Sequence, residues 1–89
     1  MRNVVTTHTF LKDLKVSKKR GKCLLKLKVV IDTLARRSYL AHKYHPHRLN
    51  GGAHDFFECH VENDWLLVYK FTIDKLELVR LGSHSDLFK

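Results

Sequence analysis

The apolar positions keep one period in the first part of the chain and another in the last. Residues 2 to 6 (RNVVT) form a short β-branched run and predict a first strand. Phe10, Leu11, Leu14 and Val16 then recur at roughly helical spacing, with Lys12, Asp13 and Lys15 turned outward and Thr7 or Thr9 as cap. Gly21 ends that helix. Leu24, Leu27, Ile31 and Leu34, spaced by three and four, predict a second helix over residues 22 to 37, with Leu25, Val29 and Val30 widening its stripe. Arg36 and Arg37 fall in its last turn, where cations suit the helix dipole. The two helices make an αα-hairpin with lysine-rich outer faces.

Residues 38 to 52 have little periodicity and read as one long loop, holding Pro46, His42, His45, His47 and the Gly51-Gly52 pair. Beyond it the period becomes two. Residues 54 to 61, 64 to 71 and 75 to 82 predict three strands, separated by Glu62-Asn63 and by Thr72-Ile73-Asp74, in an antiparallel meander. The expected fold is α+β with order β-α-α-β-β-β, the helical hairpin packed on a small, mainly antiparallel sheet.

Composition narrows this to one small domain: 89 residues, 44% hydrophobic and 29% charged, which is a folding composition rather than a disordered one. The net charge of +8 is unevenly spread, because residues 1 to 48 carry +11 and residues 49 to 89 carry −3. So basic a first half implies a polyanionic partner, nucleic acid or an acidic protein segment, against the plainer reading of a solvated face. Cys23 and Cys59 make no disulfide framework and no CxxC spacing. No apolar run is long enough for a membrane span and no h-region opens the chain, so a cytoplasmic protein with no membrane partner is expected.

The sheet-forming half holds the candidate chemistry. Arg80 and His84 share the parity of the last strand with Leu78 and Gly82, though an ideal strand holds them ~13 Å apart at about 3.3 Å per residue. Gly82 permits a bend or bulge that brings His84 back toward Arg80. Phe56, Glu58 and His60 share one face, a tight turn brings His60 near Asp64 and Trp65, and His47 lies on the loop feeding the sheet. Such a set suits RNA cleavage by its own 2′-OH: imidazoles move protons near neutrality, and an arginine fork matches phosphate oxygens. Each residue also has a plainer reading. Trp65 is a core residue or a base-stacking platform, His60 a half-buried histidine, and Arg80 a partner for Glu58 or Asp64. Zinc on His42, His45, His47, His54, His60 and Cys59 lacks any HExxH or CxxC spacing, and Cys59 faces away from His60.

YHPHRLNG, FFECHVENDWLLVYK and LVRLGSHSDLF, between Tyr44 and Phe88, resemble the YafQ branch of the RelE/ParE toxin superfamily. That resemblance implies a cytoplasmic, metal-independent ribonuclease toxin without cofactor, cutting mRNA on the 70S ribosome. It further implies inhibition by a cognate antitoxin, through which the complex binds operator DNA. Carried onto this chain, the catalytic set is His47, His60, Asp64, Arg80 and His84, with His84 as general acid and His47, His60 or Asp64 preparing the 2′-OH. Trp65 and Phe88 would contact RNA, and Lys18, Lys19 and Arg20 would lie on rRNA phosphates. The pattern departs at Pro46-His47-Arg48, where the family has an acid before the histidine and a proline after it. Phe57 stands for a usual arginine, and Asn63 for the proline of PDW. A non-enzymatic binding module of the same fold is the other reading.

Overall fold

The computed structural model describes residues 1–37, 39–49 and 56–88. Strand β1 (Asn3–Thr6) leads into helix α1 (His8–Lys19) and helix α2 (Leu24–Arg37). A 3-10 turn (His42–Tyr44) and the short strand β2 (His47–Arg48) follow. The meander β3 (Phe56–Glu62), β4 (Trp65–Phe71) and β5 (Lys75–Gly82) ends in one more helical turn, α3 (His84–Leu87). The strands form one sheet in the order β1-β5-β4-β3-β2, antiparallel except for β1 alongside β5. This is the expected α+β class with a fifth strand. The segment expected as loop contributes β2, which pairs His47 with Glu58 and Arg48 with Phe57. His54 and Gly51-Gly52 lie outside the described residues.

Helix α1 starts and stops where local chemistry directs. Thr7 caps α1, its hydroxyl accepting from the Phe10 amide at 2.9 Å, and Gly21 leaves it at φ 78, a conformation that a side chain disfavours. The inward stripe of α1 runs through Phe10 and Ser17, whereas Leu11 and Val16 are exposed. On α2 the stripe is Leu27, Val30, Leu34 and Ala35; Leu25 and Val29, expected to widen it, face outward. These residues bury against Cys59, Val61, Trp65, Leu67, Tyr69, Leu76, Leu78 and Leu81 of the sheet. Because side chains alternate across a strand, Glu58, His60, Leu66, Val68 and Arg80 belong to the other face.

The last strand departs from simple alternation. A bulge falls between the pairs Val68↔Arg80 and Tyr69↔Leu78, so Leu78 faces the core and Arg80 the opposite side. The irregularity expected at Gly82 thus comes earlier. Gly82 serves a close approach instead: a Cβ there would lie 2.9 Å from both Cβ and Oδ2 of Asp86. Ser83 and Asp86 close a capping box that starts α3 immediately after the strand.

Candidate functional site

Two cross-strand rows build the face opposite the helices. One runs His47, Glu58, Val68, Arg80 and the next His60, Leu66, Gly82, each residue opposite its neighbour in the ladder. Leu66 and Val68 are buried and floor the face between the polar groups. Directly opposite residues sit about 4.5–5.5 Å apart at Cβ, so the sheet alone gathers His47, His60 and Arg80 from three strands.

The chain ends add the remaining groups. Asp64 sits in the β3–β4 turn at φ 56, a left-handed conformation that Asp tolerates. Its Oδ1 accepts from the His84 amide at 2.9 Å and meets His84 Nδ1 at 2.7 Å. Those two hydrogen bonds hold the Asp64 carboxyl below the usual carboxylate range. His60 lies between two imidazoles, with ring centroids 5.3 Å from His45 and 5.8 Å from His84. Partial burial, and then the charge of His45, push His60 below the ordinary imidazole value, against a smaller opposing pull from Glu58. Phe88 is half exposed, its ring 6.4 Å from that of His84.

His47 and Arg80 are each held by an acid. His47 Nδ1 donates to the His45 carbonyl at 2.8 Å, while Nε2 lies 3.2 Å from Oε1 of Glu58. Glu58 is 4% exposed, and its other oxygen has no partner among the described residues. Arg80 pairs neither with Glu58 nor with Asp64. Its guanidinium bonds Asp13 of α1 through Nε at 2.8 Å and Nη2 at 3.4 Å, and the same carboxylate accepts the Leu81 amide at 3.0 Å. Three of the five guanidinium N–H groups remain for a phosphate. The signal for Asp13 in the sequence is a lone acid on the inner side of a lysine-rich helix.

Other expected residues fall differently. Trp65 is 1% exposed and donates its indole N–H to Ser17 at 3.0 Å, so it is core and offers no stacking face, correcting the RNA-contact expectation. Arg20 commits its fork to Asp86 at 2.7 and 3.3 Å, leaving Lys18 and Lys19 as exposed cations without an ion pair among the described residues. Phe57 is on the core side against Tyr69, so its replacement of the usual arginine takes no cation from the histidine face. Cys59 is fully buried and its thiol is pushed up to about 12 by burial, far from a ligating thiolate. Among the described residues no three His, Cys, Asp or Glu side chains converge on a possible metal position.

A helical hairpin on a five-stranded sheet, with histidines, an acid and an arginine on the open face, defines the class as a small RelE-like α+β domain. Within that class, residues 2–89 match the family described as bacterial toxin of type II toxin-antitoxin system, YafQ, and the chain belongs to this family. It is 35% identical over 88 residues to the mRNA interferase toxin YafQ of Escherichia coli K12, covering 98% of this chain and 96% of that one. The E. coli DinJ-YafQ complex superimposes with a TM-score of 0.92 at 34% identity, covering 100% of both chains. A metal-bound toxin from Helicobacter pylori does so with a TM-score of 0.93 at 48% identity, over 99% of this chain and 100% of that one.

Proposed function

We propose that this toxin is an endoribonuclease that cuts mRNA on the translating ribosome and is neutralised by a cognate antitoxin in the cytoplasm. One observation carries the reading: His60 and His84 stand side by side in unlike environments, on the face that also bears Arg80. His60, with its charged form disfavoured, is the general base that takes the 2′-OH proton. The resulting oxygen attacks the adjacent phosphorus as the bond to the 5′ oxygen breaks. His84 delivers the proton that the leaving oxygen needs, from Nε2, because Nδ1 is turned to Asp64. The products are a 2′,3′-cyclic phosphate and a free 5′-hydroxyl. Arg80, aimed by Asp13, stabilises the phosphorane oxygens. His47, with Nε2 3.2 Å from Glu58, stands at the other end of the row and orients the RNA rather than acting as base.

Side chains supply each proton transfer and the charge neutralisation, so cleavage in EDTA-treated, magnesium-buffered translation extracts is expected to match that in untreated ones. The E. coli relative forms a complex with DinJ. For this chain an acidic antitoxin over the basic hairpin, itself bound to operator DNA, is the corresponding assembly. Primer extension on a translated mRNA after induction tests the reaction. His84→Ala is expected to reduce cutting by roughly 10²–10⁴-fold with the circular dichroism spectrum retained. Undiminished cutting by that variant would remove the proposed acid.

A further inference from the structure

Beside His60, and extending away from the other residues just assigned, a cleft of about 510 Å³ opens between α2, the 3-10 turn and the end of β3. That volume falls in the range of about 300–1,000 Å³ typical of small-ligand sites. Its lining includes Lys26, Lys43, Tyr44, His45, His60 and Asn63, so it is cationic, aromatic and hydrogen-bonding together. Lys26 is tied to Glu62 at 3.0 Å, but among the described residues the Lys43 ammonium rests only over the Tyr44 ring, 5.0 Å from its centroid. His45 holds a left-handed backbone, φ 47, which costs a non-glycine residue energy. That conformation places its ring against His60 and turns its carbonyl to His47.

Ring contacts run in sequence from His45 to His60 to His84 to Phe88. The cleft lies at the His45 end, next to the group that would take the 2′-OH proton, and Phe88 lies at the leaving-group end. The attacking hydroxyl belongs to the nucleotide on the 5′ side of the cut bond. We infer that the cleft seats this 5′-side nucleotide, its base against the Tyr44 and His45 rings and its own phosphate at Lys43. This rests on the endoribonuclease reading. An arriving phosphate draws the Lys43 ammonium off the ring and bares it for stacking, the usual means by which single-stranded RNA is held.

The test uses the full chain and a fluorescein-labelled RNA hexamer carrying 2′-O-methyl riboses, which cannot be cut. Anisotropy is expected to show about tenfold weaker binding for Tyr44→Ala and little change for Tyr44→Phe, in keeping with loss of one stacked base. Lys43→Glu, at an exposed position that folding does not need, is expected to weaken binding severalfold. In primer extension, Tyr44→Ala is expected to redistribute the nucleotide 5′ of the cut, and Phe88→Ala the nucleotide 3′ of it. Unchanged affinity in both Tyr44→Ala and Lys43→Glu, with the 5′ preference intact, would overturn the subsite. If the wild type binds the hexamer through Tyr44 and Lys43 but cuts no RNA, the cleft is an RNA-binding site without a cut bond beside it, and the endoribonuclease reading, with the 5′-side assignment, falls.

Discussion

His84 Nδ1 meets Asp64 at 2.7 Å, and in the proposed mechanism that contact selects which nitrogen exchanges a proton with substrate. The Asp64→Asn substitution keeps an oxygen that accepts both the ring and the amide of His84 while removing the carboxylate charge beside them. Cleavage is therefore expected to fall by less than the roughly 10²–10⁴-fold of losing the acid itself, with substrate affinity held. Single-turnover rates against RNA concentration separate the two. The proposed base, His60, responds to different neighbours: His45, His47 and His84 disfavour its charge and Glu58 favours it. Since its pKa is lowered, the base stays competent as pH falls below the ordinary imidazole range, and activity is lost as pH drops through the folded value. His45→Gln removes one repelling charge, so the acid limb of the kcat/KM profile is expected to move to higher pH. An unmoved limb would separate His45 from the base. Strand parity made the shared face of Glu58 and His60 legible in the sequence, whereas Arg80 reaches that face through the bulge in β5 and His84 through α3. Asp13 was not legible, because its pairing with Arg80 spans 67 residues and exists only once β5 lies along α1.

At the scale of elements, period was informative where segments are long and silent where they are short. The hairpin of α1 and α2 and the meander of β3, β4 and β5 follow from runs of three-and-four and of two. Strand β2 has 2 residues and α3 has 4, too few for any period. One exists through its ladder to β3 and the other through the Ser83–Asp86 capping box and the Arg20 pair. That box explains a glycine whose backbone angle requires none. A methyl at residue 82 meets Asp86 at 2.9 Å, so Gly82→Ala forces α3 outward and carries His84 with it. Overpacking of this kind costs about 1–3 kcal/mol, and each kcal/mol lowers the melting temperature of a domain this size by about 4–8 °C. Cleavage is expected to suffer more than stability, since His84 must stay within hydrogen-bond reach of Asp64. A thermal melt and a cleavage assay on the same preparation decide; a stability loss with full activity would show that α3 does not position the acid.

Across the whole molecule the basic and acidic halves of the chain are sewn to each other. Arg20 to Asp86, Lys26 to Glu62 and Asp13 to Arg80 each join a residue of the first half to one of the second. The acids of the sheet half therefore anchor the hairpin, and cations not so used remain for an external polyanion. Lys18 and Lys19 are such cations, exposed in the last turn of α1 next to the Arg20 grip on α3. Phosphates drawn there lie close to the turn that carries His84, so attraction and chemistry meet at one end of the fold. Each neutralised phosphate contributes about 0.7–0.9 to the log-log salt slope. Replacing both lysines by serine is expected to lower that slope by up to about 1.8 and to raise KM for RNA. Contacts to the RNA track, and not to the reacting phosphate, bind ground and transition states alike, so kcat is expected to hold. Titrating wild type and the double variant with salt, in binding and in cleavage, measures both quantities. A fall in kcat with the slope unchanged would mean that these lysines act on the reacting phosphate instead of on the RNA track leading to it.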